Sequence, residues 1–287
     1  MNPGQLPGGR VFSALLILTM CVACSRVETP KVTPVITTVR VMADGPTLPL
    51  MKALTSAYTD AHPTTVFSVQ SANSPSSIDT LYAGQADIAG VSVLPPNTQG
   101  RTAPWVSDLA LDGVAVIGNP ANPIDNLTTA EARDLFAGVR TRWSDFGVVG
   151  LGDIDVGVRE EGDGTRDTFD DRVMDGVKLG LSCIILPSVE VAMNFVAYQT
   201  SAISYVPRAR ITETVAPAVK MIAIDGQAPT KESIASGAYR LSRMLSMVAV
   251  NEPTGELRQF VVWVLGKEGQ AVVGQLNYVE LVQVQHP

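Results

Sequence analysis

Residues 38–92 alternate between two periodicities, and no other stretch restricts the fold of this chain as much. Residues 38–42 alternate apolar and polar side chains, the pattern of a half-buried strand. Residues 43–47 break the pattern, after which Leu50, Leu54 and Tyr58, with Met51 and Ala57 beside them, recur at helical spacing. Pro49 falls in the first turn of that helix, where a missing N–H costs nothing. Residues 64–69 are rich in β-branched side chains and predict a second strand. A short helix carrying Ile78, Leu81 and Tyr82 follows, then a third strand over 86–92. Strand, helix, strand, helix, strand predicts an α/β lobe with a mainly parallel sheet. Ligands of such sheets bind beyond the carboxyl ends of the strands. Two of these ends, residues 44–47 and 74–77, carry small polar residues ahead of a helix, although hydroxyls there also serve as plain caps.

The same unit recurs at 154–167. Ile154, Val156 and Val158 predict a strand, Gly162-Asp163-Gly164 a turn, and Phe169, Val173 and Met174 one face of a helix. A strand feeding a glycine turn and a helix start brings several unpaired N–H groups together, and the helix dipole adds partial positive charge. Arg159, at the strand end, adds a full charge and a planar donor fork. An ordinary βα turn with a solvated arginine gives the same pattern, so the turn alone does not decide.

The 287 residues are 46% hydrophobic, enough for two lobes. Residues 11–23 form an apolar stretch too short to span a bilayer comfortably but suited to a signal peptide. Val22-Ala23-Cys24 resembles a bacterial lipobox, so residues 1–23 are expected to be a lipoprotein signal peptide and Cys24 the lipidated first residue. Cys21 stands where a leucine is usual, and plain secretion with cleavage near Ala23 is the other reading. Residues 24–37 carry two prolines and little periodicity, and are expected to be a tether. Cys183 then remains alone in the mature chain, within an apolar run over 181–186 that predicts a buried strand and an inert thiol. The net charge of −7 argues against a nucleic-acid partner. No second apolar run is long enough to cross a membrane, so an extracytoplasmic body is expected, lipid-anchored to the cell membrane or periplasmic.

Downstream, residues 109–117 predict a long strand. Thr128-Thr129-Ala130-Glu131 is a capping box that opens a helix with Ala132, Leu135 and Phe136 inward. Helices are expected at 188–198, 230–237, 255–264 and 270–276, and strands at 202–206, 219–224 and 244–250. Several stretches also share wording and order with one family. They are Leu111-Asp112-Gly113-Val114-Ala115-Val116-Ile117-Gly118-Asn119-Pro120, Asp134-Leu135-Phe136-Ala137-Gly138, Arg142-Trp143-Ser144-Asp145, residues 159–167, Ala202-Ile203-Ser204-Tyr205-Val206, residues 224–230 and 239–243, and Gly266-Lys267-Glu268-Gly269-Gln270-Ala271. Together they resemble the phosphate-binding proteins that serve bacterial phosphate ABC importers, over residues 38–281. The resemblance implies an α/β, two-lobed periplasmic-binding-protein-like fold (type II). Each lobe would be a mainly parallel sheet flanked by helices, with the ligand cleft between lobes. Lobe 1 would span 38–114 and 218–287, and lobe 2 would span 115–217. The implied function is that of a substrate-binding lipoprotein of an ABC importer, taking phosphate or another small oxyanion. Its partners would be an ABC permease complex and, through Cys24, the membrane. A monomer with no cofactor and no metal is expected.

Carried over by resemblance, the ligand contacts are Arg159, Gly164 and Thr165 of the glycine turn, Ser74 at the second helix start, and Ser92 closing the third strand. Two places depart from the family. Asp163 stands where a serine is usual, and the first loop reads Ala43-Asp44-Gly45-Pro46 in place of a hydroxyl-rich sequence, with Pro46 unable to donate. Asp44, Gly45 and Asp163 are therefore candidate contacts of uncertain sign, because a carboxylate beside a dianion is repulsive. Three readings stay open. An acid accepts a hydrogen bond from a protonated phosphate oxygen and so rejects sulfate; or the ligand is different, less charged or amine-bearing; or the cleft is degenerate and the chain is a sensor or adaptor. Catalysis is not expected: His62 precedes a proline, His286 is penultimate, and neither neighbours a serine or cysteine motif. Glu160, Glu161 and Asp163 form the one dense acidic group beside a turn, and no metal-spaced cluster occurs.

Overall fold

The structure is a computed structural model and describes residues 1, 36–94 and 100–281. Residues 2–35, which hold the expected signal peptide, Cys24 and nearly all of the tether, lie outside the described residues.

The first elements follow the sequence periodicities closely. They are β1 (Thr37–Ala43), α1 (Leu48–Ala61), β2 (Thr65–Ser71), α2 (Ser74–Tyr82) and β3 (Ile88–Val91). Pro49 sits at the start of α1, and Asn73 caps α2 by accepting from the Ser76 N–H. Next come β4 (Trp105–Gly118), β5 (Asn126–Leu127), α3 (Thr129–Phe136), β6 (Asp155–Arg159) and α4 (Gly164–Phe169). The capping box at α3 forms in both directions between Thr128 and Glu131. The chain continues through β7 (Ile184–Leu186), α5 (Val189–Tyr198), β8 (Ala202–Pro207), β9 (Lys220–Ile224), α6 (Lys231–Ala235), β10 (Ser242–Ala249), α7 (Gly255–Leu265) and α8 (Lys267–Gln275).

The strands join in the order β2-β1-β3-β10-β4-β8-β6-β7, with β9 bridging β4 and β5. The expected parallel pairing holds in each outer part, where β1 pairs with β2 and β3, and β6 with β7 and β8. The middle is antiparallel, because β10 returns between β3 and β4, and β4 turns its second half to β8 and β9. The sheet is therefore mixed.

Two large cores sit on either side of this middle. In the first, Tyr58 lies edge-on to Phe67, Phe260 and Trp263, among Leu50, Leu54 and Leu245. In the second, Phe169 stacks on Tyr205 with centroids 4.2 Å apart, beside Phe136 and Trp143. Each such side chain contributes roughly 1.5–3 kcal/mol by leaving water. Ile222, Ile224, Tyr239 and Leu241 belong to the second core.

Two local expectations change. The run over 181–186 is a strand only at Ile184–Leu186, and it is an edge strand paired with β6 alone. Ile184 and Ile185 are exposed and only Leu186 is buried, and among the described residues no strand pairs with the outer side of β7. Cys183 is half-buried rather than buried, and burial still raises its thiol pKa, which keeps it protonated and inert. The helix expected through Phe169, Val173 and Met174 widens after Phe169 into a π-helical turn over Asp170–Met174, and all three side chains remain buried.

Candidate functional site

β1, β3 and β6 end at one place, where the α2 and α4 starts also arrive. Asp44 follows β1 and is fully buried. Its Oδ2 accepts from Ser74 Oγ, from Ser92 N and from Ser92 Oγ, each at 2.6 Å. Its Oδ1 accepts from Thr47 N at 3.1 Å and lies 2.7 Å from Thr47 Oγ1. That hydroxyl is also 2.8 Å from Gly90 O and 3.3 Å from Asp44 O, so its one proton is shared among three acceptors. Donors to an ionised carboxylate are worth roughly 1.5–3 kcal/mol each, which makes this a tightly held group.

Arg159 is the last residue of β6 and is 5% exposed. Its Nη1 donates to Leu186 O at 2.5 Å and its Nη2 to Asp163 Oδ2 at 3.0 Å, a buried ion pair. Asp163 is also the cap of α4, its Oδ1 accepting from Thr165 N at 2.9 Å and Arg166 N at 3.3 Å. The N–H groups that the sequence offers to an anion at this turn are thus taken by the residue that replaces the serine. Among the described residues, Arg159 Nε, Thr165 Oγ1 and Ser77 Oγ are buried polar atoms with no hydrogen-bond partner. Buried donors are nearly always satisfied, so these atoms call for an explanation.

The two halves touch here. A Cβ at Gly164 would stand 2.0 Å from Ser92 Oγ and 3.2 Å from Asp44 Oδ2, so only glycine allows this approach. Gly45 faces Asp163 Oδ2, and Gly162 faces the Asn73 side chain. Arg243 of β10 ties the junction together, with Nη1 donating to Gly164 O at 3.0 Å and Nη2 to Asp112 Oδ2 at 2.8 Å. A cavity of about 330 Å³ opens beside it, lined by Gly45, Asn73, Arg159, Glu160, Glu161 and Asp163 among others. That lining carries three acids against one base. Just behind, burial first and then the Asp163 and Asp170 charges push the Asp167 carboxyl up from 3.8 to about 6.

All eight residues expected at the site, Asp44, Gly45, Ser74, Ser92, Arg159, Asp163, Gly164 and Thr165, are brought to this junction. The direction of their donors differs from expectation. Ser74 and Ser92 point at Asp44, and the Asp44 oxygens are already engaged, which leaves that residue poorly placed to accept a ligand's proton. Sequence reasoning placed Thr47 and Ser77 only within polar strand-end segments and passed over Asp112 and Arg243 as site residues. Asp112 left a signal: a charge inside an otherwise apolar strand run is kept only when paired. Among the described residues no group of His, Cys, Asp and Glu is arranged to hold a metal, and no helix is long and apolar enough to cross a membrane.

The family profile of the PBP superfamily domain matches residues 28–268. The chain belongs to the PBP superfamily. Within it, the chain is 23% identical over 239 residues to the phosphate-binding protein PstS of Bacillus subtilis, covering 82% of this chain and 78% of that protein. It is 31% identical over 98 residues to phosphate-binding protein PstS 2 of Streptococcus agalactiae, a match that spans 34% of this chain and only 33% of the relative. Among solved PBP folds, it is similar to a substrate-binding protein from Clostridium perfringens assigned to phosphate ABC transport and solved with bound phosphate. That match has a TM-score of 0.77 and 24% identity, and covers 85% of this chain and all of that one. An ABC-type phosphate transport receptor from Vibrio cholerae matches with a TM-score of 0.75, 24% identity and the same coverage. These likenesses establish the two-lobed architecture of the superfamily for this chain.

Proposed function

We propose that this chain is an extracytoplasmic substrate-binding lipoprotein of an ABC importer that takes a small oxyanion, with inorganic phosphate first, between its lobes. The observation that carries this reading is the buried Arg159, whose Nε has no partner among the described residues, together with Thr165, whose Oγ1 has none either. A buried guanidinium N–H and a buried hydroxyl are stabilised by an acceptor-rich ligand, and a tetrahedral oxyanion is one. The relatives named above as phosphate-binding support the choice. The lobes we assign are residues 36–114 with 242–281, and 115–241. The chain acts as a monomer, anchored through Cys24, and hands its ligand to a permease complex.

The test is calorimetry with inorganic phosphate on the full-length chain in mild detergent, beside Arg159→Ala. We expect at least about a tenfold loss of affinity on removing the guanidinium, as for other charge-assisted contacts. An Arg159→Ala chain that binds as well as the parent overturns the assignment.

The acidic lining of the cavity favours a second reading, in which the ligand carries less negative charge than phosphate or bears an amine. Thermal-shift screening separates the two, since a true ligand raises the melting temperature with its concentration. A response to amino acids but not to phosphate selects the second reading. No response to any small molecule selects a sensor or adaptor with a degenerate cleft.

A further inference from the structure

We propose that Asp44 is the cleft's own anion: its carboxylate takes the first-half donors that would otherwise hold an oxyanion, and so keeps affinity for tetrahedral dianions low. The inference rests on the oxyanion reading of the same site.

The donor set around Asp44 is that of an anion-binding shell. Two hydroxyls and a main-chain N–H meet one oxygen within 2.6 Å, and a further N–H and hydroxyl meet the other. They come from three separate segments: Thr47 ahead of the fourteen-residue α1, Ser74 opening the nine-residue α2, and Ser92 after β3. Two helix starts therefore aim partial positive charge at the same carboxylate. A carboxylate has about four lone-pair sites, and these contacts use them. Only the site that Thr47 Oγ1 shares with other acceptors is incompletely used, so Asp44 is nearly saturated and competes with the ligand rather than receiving it.

Space leads to the same conclusion. Gly164 of the second half packs onto Ser92 and Asp44 so closely that a single added carbon would stand 2.0 Å from Ser92 Oγ. A phosphate does not fit between Gly164 and Ser92 in this arrangement. On the facing side the donors are only partly used. Asp163 takes Arg159 Nη2 and two N–H groups, while Arg159 Nε and Thr165 Oγ1 remain without partners among the described residues. The donors that reach Asp44 are satisfied from within, whereas Arg159 Nε and Thr165 Oγ1 opposite, like Ser77 Oγ on α2, are left wanting among the described residues. This asymmetry singles out Asp44 as the affinity-setting residue. Because Asp44 is covalently attached, it competes at high effective concentration. A dianion that displaces it also meets its repulsion at short range.

The decisive experiment titrates inorganic phosphate, in parallel with sulfate, into the full-length parent, Asp44→Ser and Asp44→Asn by calorimetry. Asp44→Ser leaves the donors of Ser74, Ser92 and Thr47 free and should bind phosphate about 30-fold or more tightly than the parent. Adding Arg159→Ala to Asp44→Ser should remove that gain. Asp44→Asn keeps the shape and one acceptor, which guards against loss of the fold, and should gain about threefold or more. Without phosphate, Asp44→Ser should melt below the parent and regain the difference as phosphate is added. If both variants bind phosphate no more tightly than a parent that does bind it, the inference is overturned and the oxyanion reading stands. If cooperatively melting parent and variants all ignore both anions, both readings are overturned.

Discussion

One missing methyl group decides how closely the two halves approach at Gly164. Its place is 2.0 Å from Ser92 Oγ, so Gly164→Ala forces the serine to turn and to give up its bond to Asp44. We expect a loss of about 1–3 kcal/mol in chemical denaturation, the usual cost of overpacking. A loss below a few tenths would show that the halves stand further apart in solution. Asp167 gives a residue-scale pH prediction. Its carboxyl is raised from 3.8 to about 6, chiefly by burial, so the folded chain holds a proton there that the unfolded chain has already released. The folded state is therefore penalised above about pH 6, and the penalty fades as pH falls through that window towards about pH 4. Asp167→Asn should raise the melting temperature at neutral pH and leave it unchanged near the lower limit. Equal gains at both ends would place the effect elsewhere. That Arg159, Gly164 and Thr165 meet at one junction was legible from the motif, because they have the spacing of a strand, turn and helix start. Where their donors point was not legible. A serine at a strand end reads the same whether it faces a ligand or, as Ser92 does, a neighbouring carboxylate.

Element positions were largely legible, because helical and strand periods are local properties of the chain. The capping box at Thr128 was readable as four letters, and the structure closes it in both directions. Thr128→Ala should cost about 1 kcal/mol, read by denaturant titration, since one N–H at the start of α3 loses its acceptor. The exposed run at 184–185 was misread for a physical reason. Apolarity shows that a strand suits a sheet, but it cannot show whether a neighbour covers the outer side, and β7 has none among the described residues. The π-helical turn after α4 was equally hidden. Phe169, Val173 and Met174 keep one face under either winding, so their spacing could not tell the two apart.

At the scale of the molecule, pairing partners are long-range and left no mark in any local period, so the antiparallel middle of the sheet emerged only in three dimensions. β4 belongs to both halves. Its first part pairs with β10 and its second with β8 and β9. Trp105 and Trp263 report on the first core and Trp143 on the second, so single-tryptophan variants can follow each half separately. A common strand makes the halves unfold together, and the melting curves of the two reporters should coincide. Two separated transitions would mean that the sheet parts at its middle.

The long contact between β4 and β10, from Gly113 opposite Ser242 to Trp105 opposite Ala249, also bears on how such a gene can be recombined. The two strands lie far apart along the chain and nevertheless form one seam. Chimeras with relatives should survive when both strands are inherited from the same parent. A crossover that takes one without the other would mate two edges shaped against different partners, and would fail even where every other segment is a faithful copy.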